Sequence, residues 1–252
     1  MKVRLNNRNG KLGFTLIELM VVIAILASVA AIGYPAYMKH MRDGELQKAQ
    51  ENLKSVHLML TEFKQDHNSF PCDRSAEDLT EANPDINYGV LTGDYSNCYF
   101  RQLLYNKEAA EKNFYASISP GGRSTKEPND KKAGGKGLSR GENAFAYVMR
   151  KSSDDPDAKE PVNGSNVPLA MCGIYPSDAP YTGDQMVFDN VSFGGKVLVL
   201  RTDGSVTDIG NDLQENEADD SKASMKQDVD IFPEKRNGNS SAPNYYVLSP
   251  EL

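Results

Sequence analysis

Glu18 is the only charged residue between Phe14 and Tyr37, in the run FTLIELMVVIAILASVAAIGYPAY. A carboxylate early in an apolar stretch costs roughly 2.5 to 3.5 kcal/mol on insertion scales, so it marks a function and a partner. A cut between Gly13 and Phe14 would supply that partner by freeing the α-amino group of Phe14. A cationic amine there can pair with a carboxylate about one helical turn along. In an assembly of copies, Glu18 of one chain could neutralise the amine of its neighbour, leaving neither charge alone among apolar helices.

Other chemistry-bearing residues are sparse and scattered. His40, His57 and His67 are the only histidines, and on a helix their spacing spreads them over ~15 Å or more, so they read as solvated side chains rather than metal ligands. Gly134-Gly135-Lys136-Gly137 lacks the Ser or Thr after the lysine and the leading apolar strand that a phosphate loop needs. No cysteine has a nucleophile's context, so no catalytic residue is assigned and an enzyme is not expected. The acidic segment from Asp208 to Asp230, with Glu215, Glu217, Asp219 and Asp220, reads as a solvated, mobile loop. Calcium is the one cofactor such oxygens would suit, but without an EF-hand pattern no ligands are assigned.

Cys72, Cys98 and Cys172 contain no C-x-x-C pair, which argues against zinc. Outside the cytoplasm, one disulfide and one free thiol is the natural reading. Closing the ~27 residues between Cys72 and Cys98 is worth about 3.5 kcal/mol, and the ~100 between Cys72 and Cys172 about 4.7, so energetics leave both pairings open. Cys72 with Cys172 is the expected bridge, because it ties a helix end to the sheet region. Cys98, beside Tyr99 and Phe100, suits a buried free thiol.

The elements that position Glu18 are legible. Phe14 to Tyr37 meets the ~20 apolar residues needed to cross a bilayer, and Lys2, Arg4, Arg8 and Lys11 precede it without an acid. That asymmetry places the amino terminus in the cytoplasm and the rest outside it. The net charge is −7, of which the first thirteen residues contribute +4 and the remainder −11; so acidic a body argues against nucleic acid as a partner. An ordinary secretory signal with a small-residue site near Val29-Ala30-Ala31 is the plain alternative, though it has no use for Glu18. Beyond Pro35, the residues Leu46, Ala49, Leu53, Val56, Leu60 and Phe63 form one amphipathic stripe. The helix is predicted to run to about Asp66, a rod of roughly 80 Å, bent at Pro35. Asn68-Ser69-Phe70-Pro71 stops it.

Lys11-Leu12-Gly13-Phe14-Thr15-Leu16-Ile17-Glu18-Leu19 resembles the processing motif of type IV prepilins and type II secretion pseudopilins. Gly33-Tyr34-Pro35-Ala36-Tyr37 is similar to the family's pattern as well, where a proline at this distance bends the helix. The resemblance covers Lys11 to Pro71. It implies cleavage after Gly13 and N-methylation of Phe14 by a membrane prepilin peptidase, with Glu18 serving assembly. Phe70-Pro71 resembles the aromatic-proline pair that follows this helix in major pseudopilins, which also bind calcium in a sheet-side loop.

The remainder predicts an α+β fold, with the long helix packed on a carboxy-terminal antiparallel sheet. A short helix begins at Ser75 and Asp78 in capping-box spacing, a second covers Cys98–Tyr105, Phe114–Ile118 is a strand, and Gly121–Gly141 is a loop. Asn143–Met149, Met186–Phe188 and Tyr245–Leu248 read as strands. Lys196–Thr202 and Ser205–Ile209 form a hairpin about a type I′ turn at Asp203-Gly204. The divisions are a leader (1–13), a membrane and assembly helix (14–37), its amphipathic continuation (38–70) and a periplasmic head (71–252). The resemblance implies a pseudopilus subunit whose partners are itself or homologous pseudopilins, the prepilin peptidase and an inner-membrane secretion platform. A surface pilin and a membrane-tethered periplasmic enzyme or binding protein are the alternatives.

Overall fold

The computed structural model describes residues 14–105, 111–116, 137–155, 157–227, 229–232 and 244–251. The leader with Gly13, Ser117 and Ile118 of the expected strand, and most of the glycine-rich loop lie outside the described residues. The chain divides into two compact units, Met1–Met41 and Arg42–Leu252.

Helix α1 (Leu16–His67) carries Pro35 in its interior. It ends where Asn68 turns to φ 57°, the left-handed position after a helix that asparagine adopts at small cost. Within the second unit, Ala49, Leu53, Val56, Leu60 and Phe63 are buried in the head's core, at the three- and four-residue steps expected of one helical face. Each of the larger side chains among them contributes about 1.5–3 kcal/mol.

Helix α2 (Asp73–Ala82) starts two residues before the expected Ser75. Ser75 instead occupies the third helical position, where its Oγ accepts the Cys72 N–H at 2.9 Å. The same hydroxyl donates to Gln102 Oε1 at 2.7 Å. Gln102 Nε2 donates to the carbonyls of Cys72 (3.1 Å) and Leu91 (2.9 Å). This buried knot fastens α2, α3 (Tyr88–Leu91) and α4 (Ser96–Tyr105) together, with its polar groups paired as burial requires. Where a strand was expected at Phe114, Glu111–Phe114 forms a single 3-10 turn. Phe114 packs on Phe100 at 4.9 Å, so its ring is spent on α4 rather than on a strand face.

The larger sheet is antiparallel, with strands in the order β4 (Tyr181–Thr182), β10 (Tyr245–Leu248), β1 (Phe145–Lys151), β3 (Pro168–Cys172), β6 (Leu198–Arg201) and β7 (Val206–Asp208). β2 (Lys159–Glu160) pairs with the end of β1. β1 sits centrally, with Tyr147 opposite Leu248 on one side and Ala170 on the other. Its bulky positions meet α4, Phe100 lying 5.2 Å from Tyr147, and Tyr147 donates to the Pro71 carbonyl at 3.0 Å.

The β6–β7 turn differs from the expected type I′. Gly204 alone has a positive φ, +84°; its N–H bonds the Arg201 carbonyl, and the Arg201 N–H bonds the Ser205 carbonyl, both at 2.9 Å. This is a three-residue loop ending in a left-handed glycine. Asp203 selects it by accepting from the Ser205 N–H (2.9 Å) and hydroxyl (2.7 Å). The acidic segment is likewise structured: β8 (Leu213–Asn216) and β9 (Asp219–Met225) form a hairpin that joins β5 (Phe188–Asp189) in a second sheet.

The carboxy-terminal residues are tied into the head by a buried polar network. Asn143 Nδ2 reaches Ser96 Oγ (2.8 Å) and Asn97 Oδ1 (3.0 Å), Asn97 Oδ1 accepts from Glu251 N–H (3.0 Å), and Ser96 N–H bonds the Ser249 carbonyl (3.1 Å).

Candidate functional site at the amino terminus

From Phe14 to Tyr37 every side chain is exposed, and α1 is long and apolar enough to cross a membrane. Water is a poor solvent for so continuous an apolar surface, whereas a bilayer or neighbouring apolar helices match it. The one hydroxyl in its middle, Ser28, donates to the Ala24 carbonyl four residues back at 2.8 Å, which keeps it satisfied without water.

Glu18 lies in the first turn of this helix. Its Oε2 accepts from the Thr15 N–H (2.9 Å) and Thr15 hydroxyl (2.8 Å), while the Glu18 N–H donates to Thr15 Oγ1 at 3.2 Å. This is a reciprocal capping box that satisfies backbone donors otherwise orphaned at a helix start. The carboxylate is thereby fixed at the positive end of the helix dipole. Phe14, 74% exposed, immediately precedes the cap, so cleavage at its nitrogen would create a cation beside a carboxylate that is already oriented. Thr15 is the residue that reading Glu18 for charge alone missed. Its signal was present as Thr-x-x-Glu ahead of an apolar run.

The family model for the prokaryotic N-terminal methylation motif matches residues 8–34. The type IV major pilin protein PilA of Myxococcus xanthus is 42% identical over 60 residues, 24% of this chain and 26% of that protein. The type II secretion system core protein G of Pectobacterium carotovorum is 39% identical over 59 residues, 23% of this chain and 38% of that protein. The prepilin peptidase-dependent protein D of Escherichia coli is 62% identical over 34 residues, 14% and 23% of the two chains. The chain spans less than half the length of these relatives. No solved structure matches the chain.

The amino-terminal quarter of the chain is type IV pilin-like.

The remaining residues singled out from sequence fall in separate parts of the chain. Pro35 stands within α1 without ending it. Cys72, Cys98 and Cys172 are all buried free thiols, and the bridge expected between Cys72 and Cys172 is not formed in this structure. Each sits in its own surroundings: Cys72 precedes α2 in the Ser75–Gln102 knot. Cys98 Sγ accepts from Arg101 at 3.8 Å. Cys172 pairs with Phe145 and Leu198 in the sheet. Burial pushes the Cys98 and Cys172 thiols above their ordinary range, which favours the protonated, unreactive form.

Two histidines are not simply solvated. His57 Nε2 lies 3.3 Å from the Thr202 carbonyl and His67 stacks on Phe63 at 4.2 Å, while His40 is exposed. Among the described residues no three His, Cys, Asp or Glu side chains converge as ligands, and Asp219 is engaged by Lys222 at 2.9 Å.

Proposed function

We propose that this chain is a structural subunit of a type II secretion pseudopilus. In this reading residues 1–13 are a leader removed after Gly13, residues 14–37 anchor the subunit once through the bacterial inner membrane, and residues 38–70 carry the helix into a periplasmic head (71–252). The observation that carries it is the pairing of an apolar, wholly exposed stretch of helix, residues 14–37, with a carboxylate pre-positioned by Thr15. Before assembly the bilayer covers that helix; afterwards neighbouring copies or homologous pseudopilins do. Cleavage supplies the amine that Glu18 neutralises on an adjacent subunit, so processing by the prepilin peptidase converts a stored subunit into an assembly-competent one. The inner-membrane platform then drives filament growth, which moves folded proteins across the outer membrane. Support for secretion over other filaments comes from Phe70-Pro71 and from the similarity to a type II secretion core protein.

Mass spectrometry of the mature amino terminus is expected to find N-methyl-Phe14; a terminus near Ala31 would sink the reading. Glu18→Ala is expected to be processed normally yet to yield no filament, because it removes the charge partner but not the cut site. Normal filaments from that variant would refute the pairing.

The second reading is a type IV pilus subunit for adhesion, motility or DNA uptake, favoured by the relatives named as major pilins. Fibres labelled on the outer cell surface with secretion intact would select it.

A further inference from the structure

The apolar stretch from Leu16 to Gly33 spans roughly 27 Å as a helix, close to the ~30 Å hydrocarbon core of a bilayer. Beyond Gly33 the helix surface changes character within one turn. Tyr34 and Tyr37 are 64% and 59% exposed, and amphipathic rings favour the membrane–water boundary. Lys39 and His40 come next, both exposed, with Lys39 ~7 Å beyond Tyr34 along the axis, at the level of lipid phosphates once its stem extends. The acids nearest in sequence do not cancel them: Asp43 lies 3.5 Å from Lys196 and Glu45 3.0 Å from Lys48.

We propose that the head-side end of the apolar helix binds anionic phospholipid headgroups through Lys39 and His40, behind a boundary set by Tyr34 and Tyr37. A positive side chain such as Lys39, presented at headgroup depth, complements a negatively charged lipid surface. Processing redistributes this attraction. The uncleaved chain has Lys2, Arg4, Arg8 and Lys11 at the opposite end, and removal of residues 1–13 leaves Lys39 and His40 as the only basic residues between Phe14 and Met41. Cleavage therefore removes the leader's four cations from the opposite end of the span, where the new Phe14 amine faces Glu18, and leaves the head side as the main electrostatic hold on lipid. This rests on reading Leu16–Gly33 as a membrane span.

The test uses the full chain, cleaved and uncleaved, in nanodiscs of mixed phosphatidylglycerol and phosphatidylcholine. Lipids that remain bound on release are counted by native mass spectrometry. The cleaved chain is expected to enrich phosphatidylglycerol about fivefold, the effect of one full cation near an anionic surface. Lys39→Gln is expected to abolish most of that enrichment, and the uncleaved chain to exceed it. Equal retention of both lipids by the cleaved chain, or enrichment unchanged in Lys39→Gln, overturns the proposal. A parallel arm probes Ala24→Cys with an impermeant maleimide, the native thiols being buried. Labelling there would fail the span itself and the lipid site with it. Protection without lipid preference would fail the lipid site alone.

Discussion

Gly204 concentrates the residue-scale constraints of the head. Its φ is +84°, and a Cβ built there would lie 2.9 Å from the His57 ring on α1. Both the left-handed backbone and the close approach exclude a side chain. Gly204→Ala is expected to lower stability by about 1–2 kcal/mol, measured by denaturant unfolding. Combined with His57→Ala, part of that loss should return, because the ring is the obstacle. A purely backbone effect would show no coupling between the two substitutions. Thr15 and Glu18 illustrate the same principle at the other end of α1, where two short bonds from one residue orient a carboxylate.

Among the elements, the β8–β9 hairpin has an identifiable pH dependence. Asp219 is held down to about 2, first by the Ser221 hydroxyl and then by Lys222. A carboxyl whose folded value lies below its unfolded one stabilises the fold above the ordinary aspartate range, and the contribution disappears as pH falls from about 4 to about 2. Amide exchange in β8 and β9 should therefore accelerate across that window, and carboxyl NMR should place the Asp219 titration near its lower edge. Ser221→Ala is expected to move both transitions towards pH 4. A hairpin indifferent to that substitution would show that the strand ladder alone holds it. Helix α1 is governed by a different term. Its stripe from Ala49 to Phe63 is buried in the head, while the preceding turns keep their apolar surface open.

At the scale of the whole molecule, the three thiols report on folding. All are buried, and burial raises the Cys98 and Cys172 thiols away from the reactive thiolate. The native chain is expected to react with no thiol reagent at pH 8 and to expose three equivalents on unfolding without reductant. Recovery of a single equivalent would reveal a bridge between two of them. The carboxy terminus contributes to the same closure, since Ser249 and Glu251 bond Ser96 and Asn97 within α4, joining the last described residues to the middle of the chain.

Sequence alone determined what local chemistry controls. The membrane-length run, the isolated Glu18, the buried stripe of α1, the β6–β7 hairpin and β10 follow from periodicity, turn residues and the cost of an uncompensated charge. The cap formed by Thr15 is also spelled out locally, as Thr-x-x-Glu ahead of an apolar run. Tertiary structure decided the rest. Charge made Asp208–Asp230 resemble a mobile loop, yet pairing with β5 and local carboxylate bonds order it as sheet. A tie between the helix end and the sheet made Cys72 and Cys172 the expected pair, yet both are buried free thiols, one in the Ser75–Gln102 knot and the other within the sheet. His57 reads as solvent-facing until the β6–β7 turn, almost 150 residues away, covers it. The β5–β9 pairing and the Thr202 carbonyl beside His57 join residues distant in sequence, and no local pattern encodes which remote backbone will arrive beside a given side chain.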